Sequence, residues 1–191
     1  MRVMAGSEVL QHLETDHRVC SCLLNALEQM APDIGAGDER ALRVAYGVMA
    51  RERGYMSHAH FAREELLFER MMARSALGEA AVKGLSREHD VLARMGITLL
   101  EALQARLAGK PEEADRLRRL VTDYVDAMRN HMGKERQRVF PLAAQILLVQ
   151  DWELVAAAFA QQSDALAPPV SESLADVARW LADHGADPFA R

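Results

Sequence analysis

Two copies of one short pattern place a histidine and a glutamate four residues apart, His60 with Glu64 and His131 with Glu135. On a helix this offset brings both side chains to the same face, with their Cβ atoms about 6 Å apart. An imidazole nitrogen and a carboxylate oxygen at that separation supply half of a site for a first-row transition metal. One such pair is common on solvated helix surfaces, whereas two pairs in helical surroundings favour a metal centre.

The elements that carry these pairs are predicted to be helices. Half of the 191 residues are hydrophobic and only 5% are aromatic, and the apolar residues recur at helical rather than strand spacing. Gly and Pro junctions predict four long helices, at residues 7–30, 38–74, a third that starts between 75 and 86 and ends near 108, and 111–140. We therefore expect an all-α, up-down-up-down four-helix bundle in residues 1–149.

Residues 150–191 are predicted to form a C-terminal helical extension. Asp151 is expected to cap a short helix that ends at Phe159, and Pro168-Pro169 predicts a linker. Apolar residues at helical spacing in 171–184 predict a final amphipathic helix. Such an appendage packs either on the bundle or on a second subunit, and in the second case it forms a homodimer.

Each long predicted helix carries one histidine that is a candidate ligand, and these are His17, His60, His89 and His131. The second and third connections bring their flanking histidines to matched heights. The first connection does not. His17 lies about 13 residues before the end of its helix, whereas His60 lies about 22 residues after the start of the next, so their heights along the bundle differ by roughly 13 Å. We therefore expect the start of the second helix to overhang, bend or be irregular.

The apolar surroundings of His60 and His131 predict that these helices are buried on a wide face. A lone histidine within a helix is more often a structural or surface residue, and Glu64 and Glu135 both have charged neighbours that suit a solvated face. Buried histidine and glutamate side chains, however, cost several kcal/mol unless they find partners. Four histidines and two glutamates that meet in one core satisfy one another most simply through metal ions.

Composition excludes other functions. The net charge is −5 with no basic stripe, so no nucleic-acid partner is expected. No apolar run approaches the roughly 18 residues of a membrane span, and the N-terminus lacks the apolar segment of a signal peptide. Cys20 and Cys22 diverge on a helix, so no disulfide between them is expected. We expect a soluble, cytoplasmic protein with no membrane partner.

The chain resembles the hemerythrin-like, HHE cation-binding family over about residues 10–148. The matching segments are Asp16-His17, residues 60–68, Glu88-His89-Asp90, residues 131–135 and Phe140-Pro141. The resemblance implies a four-helix bundle with two iron ions that share an oxo or hydroxo bridge. It also implies the metal ligands, with terminal histidines and bridging glutamates: His17, His60, His89, His131, Glu64 and Glu135.

The chain departs from the oxygen-carrying members at Leu85, where the carrier has a fifth histidine one turn before the third-helix ligand. Four histidines shared equally leave both irons five-coordinate and open, which suits reaction better than oxygen storage. The ligand set looks like that of bacterial proteins for repair of iron centres, but their cysteine-bearing N-terminal extension is absent here. A ferritin-type site is disfavoured because only one Glu-x-x-His motif is present, Glu14 with His17. Zinc is possible by ligand type, yet a tetrahedral site needs only four donors.

The resemblance leads to a non-haem di-iron protein that binds or reacts with O2, NO or peroxide in stress response or iron handling. The alternative is a metal-stabilised regulatory or scaffold module without catalytic activity. Further residues lie near these ligands on the predicted helices. Cys20 is either a thiol near the metal or a buried apolar residue, and Tyr124 is either a hydrogen-bond donor to a bound ligand or a core residue. Residues expected to accept hydrogen bonds from the histidines are Asp16, Glu88 and Asp90, whereas His12 and His58 are expected to be exposed.

Overall fold

The structure is a computed structural model that describes residues 6–110, 113–163 and 179. Its α-helices are α1 Gly6–Ala36, α2 Glu39–Tyr55, α3 Phe61–Arg74, α4 Ala76–Val82, α5 Leu85–Leu107, α6 Ala114–Lys134, α7 Phe140–Ile146 and α8 Val149–Ser163. Two π-helical turns interrupt this series, at Met56–His60 and Glu135–Val139. The described residues contain no β-strand, which confirms the predicted all-α class. No helix among them is long and apolar enough to cross a bilayer.

Helix α1 continues past its predicted end. We expected Pro32 to stop it after Met30, but Pro32 lies within the helix on its exposed side. The helix ends at Ala36, where Gly37 adopts a positive φ of 81° that is strained for other residues. Asp38 then caps α2 as predicted, because its Oδ1 accepts a hydrogen bond from the amide of Ala41 at 2.7 Å.

The longer α1 removes most of the predicted mismatch between the first two helices. Because α1 ends at Ala36 and α2 begins at Glu39, His17 lies 19 residues before one end and His60 lies 21 residues after the other. The difference of two residues corresponds to about 3 Å of helix rise, in place of roughly 13 Å. The predicted irregularity exists, but it is the π-helical turn that ends at His60, and not a feature of the start of the helix.

The remaining helix boundaries follow local signals. The third predicted helix is divided into α4 and α5 by Gly84, which has a φ of 88°. Helix α6 begins at Ala114, and Pro111 lies outside the described residues. The predicted change at Pro141 is present, since this residue lies in the first turn of α7. Helix α8 begins at Val149, two residues before its predicted cap, and the Asp151 side chain accepts a hydrogen bond from the Leu148 amide at 2.9 Å.

The chain divides into two compact units, and each takes segments from several helices. The described residues of the first unit fall within Met1–Arg18, Tyr55–Asp90 and Asn130–Ala167, and those of the second within Val19–Gly54, Val91–Arg129 and Pro168–Arg191. Helix α8 therefore belongs to the first unit. The predicted domain boundary after residue 149 stays a prediction, and the predicted helix at 171–184, with its suggested dimer contact, lies outside the described residues apart from residue 179.

The core of the first unit is apolar and includes the inner face of α8. Its buried side chains come from six helices and the second π turn, and they include Leu13, Leu67, Phe68, Met71, Leu85, Val139, Phe140, Val155 and Phe159. Large side chains in these positions each contribute about 1.5–3 kcal/mol when they leave water. This packing provides the rigid support on which the candidate ligands are placed.

The core of the second unit contains a polar cluster. Glu52 is only 4% exposed, and its two carboxylate oxygens accept hydrogen bonds from the Tyr124 hydroxyl at 2.9 and 2.7 Å. The thiol of Cys20 lies 3.8 Å from the same carboxylate. Burial and the neighbouring Glu52 carboxylate raise the pKa of Tyr124 well above its usual value, so this hydroxyl stays a donor. Cys20 and Tyr124 therefore serve the core of this unit.

Replacing Tyr124 by phenylalanine is expected to lower the free energy of unfolding by about 1–3 kcal/mol, because a buried carboxylate loses its hydroxyl donor while the ring stays in place. Chemical denaturation monitored by circular dichroism measures the change. Tyr46→Phe is the matched control, since Tyr46 is only half-buried and should change stability by less than about 0.5 kcal/mol. Equal effects of the two substitutions would contradict this role of the Tyr124 hydroxyl.

Candidate metal centre

The six residues predicted as ligands lie together in the first unit. They come from α1, α3, α5, α6 and the two π turns, and none is more than 5% exposed: His17, His60, Glu64, His89, His131 and Glu135. Two overlapping groups of their donor atoms are compact enough to hold a cation, one made of His17, His60 and Glu64 and the other of Glu64, His89, His131 and Glu135. The structure therefore forms two adjacent candidate positions that share Glu64.

Glu64 connects the two positions through its separate oxygens. Its Oε1 lies 3.2 Å from His17 Nε2 and 3.0 Å from His60 Nε2. Its Oε2 lies 3.3 Å from His89 Nε2. One oxygen of Glu64 thus faces the pair His17 and His60. The other oxygen faces the second pair through His89. This arrangement suits a carboxylate that bridges two cations.

Glu135 likewise directs its two oxygens to different histidine pairs. Its Oε2 lies 3.4 Å from His17 Nε2, and its Oε1 lies 3.2 Å from His131 Nε2 and 3.8 Å from His89 Nε2. The π turn that begins at Glu135 ends the regular hydrogen bonding of α6 at this residue. Single π turns of this kind occur frequently at functional sites, since they re-aim a side chain without breaking the helix.

Several of these inward atoms have no well-aligned hydrogen bond, although they lie close to one another. Among the described residues, they are Glu64 Oε2, His89 Nε2, His131 Nε2, Glu135 Oε1 and Glu135 Oε2. A buried polar atom without such a bond costs about 1–3 kcal/mol. Nitrogen and carboxylate donors suit transition-metal cations, and cations at the two candidate positions would satisfy these five atoms. The residues present therefore fit a metal centre.

Three of the four histidines are oriented by carboxylates that contact Nδ1, the ring nitrogen directed away from the centre. The Nδ1 atoms contact carboxylate oxygens on other helices: His60 with Asp16 at 3.0 Å, His89 with Glu65 at 2.7 Å, and His131 with Glu88 at 3.1 Å. A carboxylate that accepts from Nδ1–H fixes the ring and leaves the Nε2 lone pair for a cation. The expectation for Asp16 and Glu88 is confirmed, although each serves a histidine of another helix. Asp90 is exposed, and sequence reasoning missed Glu65.

Aromatic rings form the walls beside the imidazoles. Phe61 stacks on His89 with ring centroids 4.2 Å apart, and Phe68 stacks on the same imidazole at 5.7 Å. Phe140 stacks on His17 at 5.4 Å. These rings exclude water from the sides of the centre and restrict rotation of the imidazoles, so the donor atoms stay directed inward.

A comparison with models of protein families matches residues 8–143 of the chain to the hemerythrin HHE cation-binding domain. The chain belongs to this family. The match confirms the resemblance and the helical-bundle architecture expected from the sequence, and it identifies a metal-binding helical domain. It includes all six candidate ligands and ends before α8. No curated protein matches the chain.

Carboxylates control the protonation of the histidines in this HHE domain. Burial opposes the charged form of His60, but Glu64 and Asp16 outweigh it and raise the pKa of His60 to about 10. Burial likewise opposes the charged form of His89, and Glu135 and Glu64 raise the pKa of His89 to about 10. For Glu64, burial is outweighed by His60 and the other histidines, which hold the pKa of this carboxyl well below its usual range. Without a cation, protons neutralise the cluster.

Because a cation must displace those protons, metal affinity of the HHE domain is expected to rise steeply with pH. Between pH 6.5 and 9, His60 and His89 are both protonated in the metal-free protein, and each belongs to a different candidate position. Release of one proton at each position predicts about a tenfold gain in affinity for each metal ion per pH unit. Competition for Fe²⁺ against a chromophoric chelator, corrected for proton binding by the chelator, measures this slope.

The metal-free HHE domain should show the opposite pH dependence in its stability. The folded-state pKa of His60 and His89 is raised, so their contribution is fully present below about pH 6.5 and is lost as pH rises towards 10. A metal affinity independent of pH, together with a metal-free stability that does not fall above pH 6.5, would contradict the protonated state of these histidines.

His12, the two cysteines and Leu85 have surroundings that differ from those of the candidate ligands. His12 is half-buried rather than exposed, because its Nε2 contacts Arg63 Nη1 at 3.0 Å, while the side chain of His58 lies outside the described residues. Cys20 and Cys22 are not joined by a disulfide. Leu85 is 1% exposed within the apolar core of the first unit, so no nitrogen donor is available at the position of the fifth histidine in oxygen carriers.

Proposed function

We propose that this HHE domain holds two iron ions and binds or reacts with a small molecule, O2, NO or peroxide, in stress response or iron handling. The ligands in this proposal are His17, His60, His89 and His131 as terminal donors and Glu64 and Glu135 as bridges. The observation that carries it is the placement of each glutamate, with one oxygen directed to each histidine pair.

The donor set supports iron over zinc. Six nitrogen and carboxylate donors grouped around two positions exceed the four donors of a tetrahedral zinc site. Imidazole and carboxylate together are the donors that proteins use for non-haem iron. An iron pair held there would supply open coordination positions and one-electron changes between the ferrous and ferric states.

The residues of the chain would prepare the centre for that chemistry. Asp16, Glu65 and Glu88 orient three imidazoles, and Phe61 and Phe140 restrict water beside them. Buried Leu85 adds no donor atom, so each of the two metal positions has two histidines. An equal distribution leaves room for a small ligand at both positions, which favours reaction over simple oxygen storage.

Metal analysis with optical spectroscopy tests the proposal. Protein purified without oxygen and supplied with Fe²⁺ should hold two irons per chain and show the near-ultraviolet bands of a bridged diferric pair after oxidation. Stopped-flow mixing of the diferrous protein with O2, NO and peroxide then identifies the reactive molecule. Protein that takes up no iron would refute the proposal, and iron-loaded protein inert to all three molecules would favour the metal-stabilised scaffold alternative.

A further inference from the structure

Helix α8, which follows the HHE match, is an integral part of the first unit. Trp152, Val155, Ala156 and Phe159 form one buried face at helical spacing. The contact with the start of α1 is close, since a Cβ added at Gly6 would lie 2.6 Å from two ring carbons of Trp152. The residues that connect α8 to the candidate metal centre therefore all lie within the first unit.

The connection runs through a buried arginine. Arg63 is 4% exposed, and its guanidinium lies over the Phe159 ring of α8 at 5.5 Å from the centroid. Its Nη1 donates to His12 Nε2 at 3.0 Å and lies 3.7 Å from Asp16 Oδ2. Burial lowers the pKa of His12, so the neutral ring can accept that hydrogen bond. A buried cation is tolerated only with such partners.

Asp16 connects Arg63 to the candidate ligand His60. The same Oδ2 that faces Arg63 accepts from His60 Nδ1 at 3.0 Å. The side chains of Asp16 and Arg63 are 11% and 5% exposed. Helix α8 thus covers the carboxylate that orients His60, by way of Phe159 and Arg63.

Among the described residues, the carboxylates that orient the second pair, His89 and His131, are not covered in this way. Glu65 and Glu88, which orient His89 and His131, have side chains that are 36% and 35% exposed. Glu88 also accepts from Lys134, whose side chain is 37% exposed. Carboxylates in contact with water exchange their hydrogen bonds readily, whereas a sealed carboxylate keeps its imidazole in place.

We propose that Arg63, held by α8, is a positioning residue that makes the two metal positions kinetically unequal. The position at His17 and His60 retains its metal, and the position at His89 and His131 exchanges metal with solution. This inference rests on the proposed dinuclear centre, and it adds an inequality that the ligand set itself does not contain.

Release of Fe²⁺ from the loaded full-length chain to a chromophoric chelator tests this inference. The wild type should lose its two metals in two phases of equal amplitude, with rates at least about tenfold apart. Arg63→Gln should accelerate the slow phase about 10–100-fold, the usual effect of removing a residue that supports a metal ligand. Lys134→Gln should change only the fast phase, which assigns that phase to His89 and His131.

Two substitutions in α8 separate positioning from folding. Phe159→Leu keeps an apolar side chain but removes the ring beneath Arg63, and it should accelerate only the slow phase. Leu154→Ala alters an α8 residue that is 56% exposed and should leave both phases unchanged. A general loss of stability would accelerate both phases in each variant. Circular dichroism verifies that every variant is folded.

The possible failures are distinguishable. Two bound metals that leave the wild type in one phase, or an Arg63→Gln variant whose fast phase alone accelerates, would overturn the inference and leave the di-iron proposal standing. Wild-type protein that binds no metal, or a single metal per chain, would refute the dinuclear centre and this inference together.

Discussion

Replacing Glu64 by glutamine is expected to reduce the iron content from two per chain to less than one. Glu64 is the residue that both candidate positions share, and its two oxygens face different histidine pairs. Glutamine retains the size of the side chain but loses the negative charge and one acceptor oxygen, so neither position keeps its bridge. Iron analysis after anaerobic loading measures the loss.

The adjacent residue provides the matched control for this substitution. Glu65→Gln also removes one carboxylate, but the polar contacts of Glu65 among the described residues are with the outer Nδ1 of His89 and the Ser86 hydroxyl. It should retain two irons and lower the affinity about 10–100-fold. Helicity of both metal-free variants should match the wild type in circular dichroism. Two tightly bound irons in the Glu64→Gln protein would exclude Glu64 as a bridging ligand.

Metal removal is expected to lower the thermal midpoint by about 10 °C. A cation that binds only the folded state stabilises it by about 4 kcal/mol at a free concentration a thousandfold above Kd. For a chain of this length that corresponds to about 8–16 °C in Tm. The effect should be large here because five buried atoms of the cluster lack well-aligned hydrogen bonds without a cation.

Differential scanning calorimetry of iron-loaded and chelator-treated protein measures the difference in Tm. The Glu64→Gln variant should show no comparable gain on addition of Fe²⁺, because it lacks the shared ligand. If the wild type and this variant gained equally, the stabilisation would come from cations bound elsewhere on the protein.

The candidate ligands are predictable from the sequence because their signals are local. A histidine and a glutamate four residues apart identify one helix face, and a candidate histidine in each long predicted helix indicates a shared core. The carboxylate at Glu65 has no such signal, since it points away from Glu64 and meets a histidine on α5. Arg63 was missed for the same reason, because its burial depends on Phe159 in a helix nearly a hundred residues later.

The boundary errors have equally physical causes. Pro32 predicts an end of α1 after Met30, yet a proline on the exposed side of a helix can be accommodated by a bend away from the missing hydrogen bond. The π turns could not be predicted, because one additional residue in a helical turn changes the backbone hydrogen bonding without a characteristic side chain.

These π turns have a consequence for insertions and deletions in the chain. Each α-helical residue advances the direction of its side chain by about 100°, so removal of a single residue from Met56–His60 would restore a continuous helix and turn the residues before it away from their present faces. The same holds at Glu135–Val139. The candidate metal centre is therefore encoded by segment length as well as by residue type, and a shortened homologue or design could retain all six side chains and still lose their alignment.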